Sequence, residues 1–343
     1  MFRSGKALRA ELQERVKRRG WAFKLPSRLL QIILLEHHQC QPSGRANVTA
    51  AGHPDNPNLM PYDPLLARLT SILAEVPGVQ AIVLGGSRAR GSAHPTSDYD
   101  IGLYCSEARP LDTERLLTVV KEIADEPGAT IVTRFGEWGS WIVGGAWLSF
   151  QGQKVDLLYR HADDVERVMT DCRDGTVLMD YQPGHPHGFC SAIWMGEIVY
   201  CHPLHDPHGL IARLKSIALP YSRPLREALI RRFQWEILFG IENAELAIAR
   251  GERTHIAGCL YRSLACIAQV LFALNERYLI NEKGALHEAA LLPLTIPHLA
   301  DRTDDVWRLI GDGALAAACE VLRKIERQLK VLSQSKHGEL GDI

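Results

Sequence analysis

Asp98 and Asp100 stand one residue apart at the entry to Asp100 to Tyr104, a run whose composition reads as a β-strand. Alternate residues of an extended strand face the same side, so the two carboxylates point together and can share one or two divalent cations. Two like charges held this close are costly without a compensating cation, which makes Mg²⁺ their natural companion. Ten residues separate the pair from Gly85-Gly86-Ser87. Glycines let a backbone approach a ligand closely, and the Ser87 hydroxyl beside N–H groups at a helix start makes a seat for an anion. Arg88 and Arg90 add forked donors suited to phosphate oxygens. A third carboxylate, Asp156, lies in Lys154-Val155-Asp156-Leu157-Leu158, a second strand-like run. If that strand neighbours the first, Asp98, Asp100 and Asp156 form one metal-binding cluster suited to two-metal phosphoryl chemistry.

These residues need a sheet to hold them. Leu65, Leu66, Leu69, Ile72 and Leu73 recur at helical spacing, and Val79 to Leu84 is a short β-branched run ending at the glycines. Leu111 to Ile123 reads as an amphipathic helix and Thr130 to Arg134 as a strand. Trp147 to Phe150 and Val155 to Tyr159 flank Gln151-Gly152-Gln153 as a hairpin. Beyond residue 210 the pattern turns helical. Leu225, Leu229, Phe233, Ile237, Ile241, Ala244 and Ile248 step by three or four to a stop at Gly251, and Thr254 is expected to cap the next helix. A last helix carries Leu315 to Leu332. The expected fold is α/β (α+β), a small mixed sheet with packed helices followed by an all-α bundle. Its parts are an N-terminal extension (1–60), a catalytic domain (61–205), a helical acceptor domain (206–335) and a tail (336–343).

Gly86-Ser87, ten residues, Asp98-x-Asp100 and a later strand aspartate together resemble the DNA polymerase β-type nucleotidyltransferase superfamily. Over residues 63 to 165 the chain is most similar to the bacterial branch that holds aminoglycoside and lincosamide nucleotidyltransferases and the minimal enzymes of antitoxin pairs. The resemblance implies Mg²⁺-dependent transfer of a nucleoside monophosphate, usually AMP from ATP, with pyrophosphate leaving. Gly86, Ser87 and Arg90 would then meet the triphosphate, and Asp98, Asp100 and Asp156 would bind two Mg²⁺ ions. Lys283, after Leu274-Asn275-Glu276-Arg277-Tyr278, resembles a lysine that such enzymes place near the phosphates. In several relatives a carboxylate of the second domain takes the acceptor's proton. Glu236, at the edge of the apolar stripe near Phe233 and Ile237, is the candidate here, with Asp156 as the alternative.

The 343 residues carry 39 Lys plus Arg against 40 Asp plus Glu, a net charge of -1 that disfavours non-specific nucleic-acid binding. No apolar run near the start approaches the roughly 20 residues that cross a bilayer, and the basic first twenty residues lack the pattern of a secretory signal. Eight dispersed cysteines without a C-x-x-C pair are those of reduced thiols in a cytoplasm. His185, His187, Cys190, Cys201, His202, His205 and His208 crowd one segment, but their spacing among prolines reads as turns rather than a zinc site. The partners to expect are a nucleoside triphosphate and a small hydroxylated acceptor, with no membrane, in a monomer or homodimer. The competing reading is an antitoxin-like or regulatory nucleotidyltransferase that acts on or binds a partner protein.

Overall fold

A computed structural model describes residues 63–338. The basic extension expected over 1–60 and the end of the tail lie outside them. The first described helix, α1 (Pro64–Ala74), starts where Asp63 accepts hydrogen bonds from the N–H groups of Leu65 (2.9 Å) and Leu66 (3.2 Å). Such a cap contributes about 1 kcal/mol. The other carboxylate oxygen of Asp63 accepts from the Tyr99 hydroxyl at 2.8 Å, tying the helix start to the residue between the two motif aspartates.

The chain then runs through β1 (Ala81–Leu84), the single turn α2 (Gly86–Ala89), β2 (Tyr99–Cys105), α3 (Thr113–Ile123) and β3 (Ile131–Val132). The hairpin strands β4 (Gly145–Phe150) and β5 (Gln153–His161) follow, with Gln151 and Gly152 at φ +53° and +75° forming the tight turn. Six of these elements, β1, β2, α3, β3, β4 and β5, were expected within a few residues of their bounds. A six-stranded sheet results, in the order β3-β4-β5-β2-β1 with β8 (His202–His205) at the far edge. β2 and β5 run parallel, while their other neighbours run antiparallel.

The period of two along the strands divides the sheet between two cores. Ile82, Leu84, Ile101, Leu103, Val155 and Leu157 pack with Leu69 of α1 and Leu116 and Val120 of α3. Ala81, Val83 and Tyr104, on alternate positions, join the core built with the later helices. Burying one such side chain contributes roughly 1.5–3 kcal/mol.

Between the sheet and the long helices lie elements that the sequence reading did not resolve: α4 (Ala162–Arg173), the hairpin β6 (Met179–Gln182) and β7 (His185–Cys190), and α5 (Ile193–Tyr200). The His- and Cys-rich segment was expected to be turns around a short apolar stretch. Here it is β7, α5 and β8, with Pro186 and Pro203 falling within edge strands, where a missing N–H is tolerated. After α6 (Leu210–Ala218) come α7 (Arg223–Ile248) and α8 (Arg253–Leu274), packed along each other. Gly240 of α7 lets them meet closely: a β-carbon there would stand 2.4 Å from the Ser263 hydroxyl oxygen. Thr254 is not the cap of α8, as expected, but lies inside its first turn; Glu252 occupies the capping position. α8 is long and apolar enough to cross a bilayer, yet 72% of its apolar window is buried against the rest of the fold, as in a core helix. Three further helices, α9 (Ala285–Ala290), α10 (Leu299–Gly311) and α11 (Leu315–Gly338), complete the described chain.

Candidate active site

Parallel pairing of β2 with β5 puts Asp100 directly opposite Asp156. Asp98 was expected on the strand with Asp100; it precedes β2, Asp100 lies in it, and both act electrostatically on Asp156. Burial and then the Asp98 charge push the Asp100 carboxyl up from 3.8 to about 6. Burial, Asp100 and Asp98 push Asp156 further, to about 7. Raised carboxylates mean that the folded state bears an uncompensated cost of negative charge, which a bound cation or a proton relieves.

The turn from β1 closes over this pair. The N–H of Gly85 donates to the Asp100 carbonyl at 2.8 Å, so it is not among the free donors expected there. Gly86 takes φ +60°, and a β-carbon on it would fall 1.7 Å from Asp100 Oδ2. Glycine is therefore demanded twice, by conformation and by space. Ser87 follows in α2, and its carbonyl accepts from Ser92 N–H at 3.0 Å, folding the loop back on itself.

The two arginines of this turn have separate duties. Arg88 donates from Nε and Nη2 to the carbonyl of Ser97 (3.2 and 2.6 Å) and from Nε to that of Asp98 (3.2 Å). Its guanidinium also lies 3.7 Å over the ring of Tyr99. It thus braces the loop that presents Asp98. Arg90, expected at the triphosphate, pairs with Glu288 of α9 at 2.5 Å and lies 5.4 Å from the centroid of Tyr200.

Residues 67–133 match the family model described as polymerase beta, nucleotidyltransferase. The matched stretch takes in Gly86, Ser87, Asp98 and Asp100 and leaves out Asp156, so it supports the polymerase β-type superfamily for this part of the chain. Among solved structures, a nucleotidyltransferase-like protein from Exiguobacterium sibiricum is similar over 79% of this chain and 74% of its own, with 13% identity and a TM-score of 0.39. A likeness that distant adds nothing about the site. No curated protein matches the sequence.

From the helical part of the chain, Lys283 is brought to the cluster: its charge lowers both Asp100 and Asp156 against their upward shifts. The loop that carries it is held by Glu282, which accepts from the N–H of His187 at 3.0 Å and lies 3.3 Å from His185 Nδ1. Two of the crowded segment's histidines, His185 through its ring and His187 through its backbone N–H, thereby meet the acid of this loop. Glu236 is not brought to the aspartates in the same way. Its carboxylate accepts from Arg262 Nε at 2.8 Å and sits beside the Cys266 thiol at 3.8 Å.

Three carboxylates form a donor set of hard oxygens that fits Mg²⁺. Among the described residues, no three His, Cys, Asp or Glu side chains already converge as a metal-holding group. The aspartates are near enough to repel one another without closing on a point.

Sequence reasoning missed Glu197 and Arg160. Arg160, buried on β5, donates to both carboxylate oxygens of Glu197 on α5 (2.8 and 3.0 Å), and Glu197 contributes to the raised pKa of Asp100. One signal was available: a single Glu within the apolar run Ile193 to Tyr200 asks for a buried partner. Nothing local marks Glu288.

Proposed function

We propose that this protein is a nucleotidyltransferase that moves a nucleoside monophosphate, AMP from ATP, onto a hydroxyl of a small acceptor of the aminoglycoside or lincosamide kind. The observation that carries the reading is the cross-strand placement of Asp100 opposite Asp156, with the charge of Asp98 acting on both, beside the Gly85-Gly86-Ser87 turn.

In the reaction, the acceptor oxygen forms a bond to the α-phosphorus, the bond from that phosphorus to the bridging oxygen breaks, and pyrophosphate leaves with the electron pair. Mg²⁺ held by Asp98, Asp100 and Asp156 would neutralise the triphosphate and lower the pKa of the acceptor hydroxyl. The backbone at Gly86 and the Ser87 hydroxyl seat the phosphates, and Lys283 adds positive charge from the opposite side. Arg90 joins them by leaving Glu288. The hydroxyl proton passes to a carboxylate oxygen of Asp156, whose pKa burial, Asp100 and Asp98 raise to about 7. Glu236, the base expected from the sequence, holds Arg262 instead.

Pyrophosphate release should be followed with Mg²⁺ and each nucleoside triphosphate, against a panel of aminoglycosides, lincosamides and a mock acceptor. Acceptor-dependent release that disappears in Asp100→Ala is the expected result. Release that persists in Asp100→Ala would overturn the assignment. ATP binding without release across the panel would move the acceptor from small molecules to a partner protein.

A further inference from the structure

A cavity of about 220 Å³ opens where the C-terminal end of β5 meets α4, α5 and β6, and its lining includes Arg160 but none of Asp98, Asp100 and Asp156. Three aromatic side chains, Trp141, Tyr159 and Trp194, form its walls, with the Trp141 and Trp194 rings 5.2 Å apart edge to face. Tyr159 is completely buried and Trp194 is 5% exposed. Yet Tyr159 Oη and Trp194 Nε1 have no hydrogen-bond partner among the described residues. Each such orphan costs about 1–3 kcal/mol. Trp141, by contrast, donates from Nε1 to Asp180 Oδ2 at 3.0 Å.

The unpartnered groups describe the missing guest. An indole N–H only donates, so the guest brings an acceptor to Trp194. Tyr159 can donate to a second acceptor on it. The cations of the lining are already engaged: Arg160 with Glu197, and Arg167 with Asp164 at 3.0 Å. Asp164 and Asp180 add negative charge at the rim. A phosphate or carboxylate is therefore disfavoured, and the guest is uncharged. The volume lies below the roughly 300–1,000 Å³ of sites for drug-sized ligands, so the guest is small. Aromatic walls favour a flat ring.

We infer that this cavity is a second ligand site, taking a small uncharged heteroaromatic ring with ring-nitrogen or carbonyl acceptors, of the nucleobase type. It is independent of nucleotidyl transfer at the aspartates.

The test is isothermal titration of the full chain with free adenine, hypoxanthine, cytosine and uracil, without divalent cations or triphosphate. Saturable binding of at least one base is expected. Tyr159→Phe and Trp194→Phe, which keep a ring and remove the donor, should each weaken it by about tenfold, one hydrogen bond's worth. Leu178→Trp, at the exposed rim, should block entry, and because Leu178 is 47% exposed this variant keeps the test open if a core variant fails to fold. Absence of saturable heat with all four bases overturns the inference. So does binding that none of the three substitutions weakens.

Discussion

A β-carbon on Gly86 would lie 1.7 Å from Oδ2 of Asp100 and 2.6 Å from its Cγ. The turn between β1 and α2 and the central carboxylate of β2 are thus shaped against each other: the absence of a side chain at one residue sets where the carboxylate of the other can be. Gly86→Ala must rotate Asp100 away or push the turn off the strand, and it also places an L-residue at φ +60°. The left-handed conformation alone costs about 1–2 kcal/mol. The expected outcome is that modest loss in urea unfolding with a loss of nucleotidyl transfer of about 100-fold or more, because small misplacements of reacting groups cost that much.

Asp156 bears the largest upward shift in the cluster, caused first by burial and then by Asp100 and Asp98. Replacing it with the neutral isostere removes a charge that the fold holds at a cost. Asp156→Asn is therefore expected to raise unfolding free energy by about 1–3 kcal/mol in divalent-free buffer at pH 8, while abolishing transfer. Thermal melts beside the pyrophosphate assay read both. A variant that is less stable than the parent there would contradict the strained-carboxylate account.

Arg88 acts through the loop it braces. A lysine keeps the charge but cannot fork between two carbonyls or lie flat on Tyr99. Arg88→Lys should lower kcat about tenfold with stability changed by less than about 1 kcal/mol. If Arg88 bound substrate instead, the change would fall on KM for the triphosphate.

His187 is buried, and desolvation, followed by the charge of Arg262, lowers its pKa from 6.5 to about 4. Glu282 pulls the other way and Arg232 adds to the lowering. Between those two values the unfolded chain binds a proton that the folded chain refuses. The contribution to stability is complete above about pH 6.5 and is lost as pH falls toward 4, up to about 3 kcal/mol. Asp100 and Asp156, raised in the fold, have the opposite slope as protonation relieves them. The contribution of His187 is isolated by comparison: His187→Gln should flatten the acid side of the parent's stability curve, measured by urea titration from pH 4 to 7. Parallel curves would rule His187 out as its source.

How far the sequence could be read depended on the range of each interaction. Asp98 and Asp100 were legible because strand alternation is local, and Asp156 because it sits in its own apolar strand. Bringing Asp100 opposite Asp156 needed only that β2 and β5 be neighbours. Lys283 lies far along the chain and was placed by resemblance, not by pattern. The tie between Arg90 and Glu288 spans 198 positions and leaves no trace in either neighbourhood. Thr254 satisfied the composition of a cap, but the turn at Gly251 starts α8 two residues earlier, with Glu252 at the capping position. The histidines of 185–208 suggested a metal by residue type alone, whereas the nearby acid of His185 and His187 is Glu282, which no spacing rule would have found.

The parallel register of β2 and β5 also bears on how the chain reaches its native state. Asp100 and Asp156 are 56 positions apart, the difference of their numbers, and their strands pair directly. Hairpins close early because their loops are short, whereas a parallel pair waits for a long loop to be ordered. The β4–β5 hairpin can therefore form by itself and dock last against β2, and that docking step is the one opposed by charge repulsion. A chain still emerging from the ribosome through β4 already carries Gly86, Ser87, Asp98 and Asp100, but has none of the third carboxylate. The proposed carboxylate cluster comes into being with the closing of the sheet, so a partly synthesised chain is expected to show no nucleotidyl transfer.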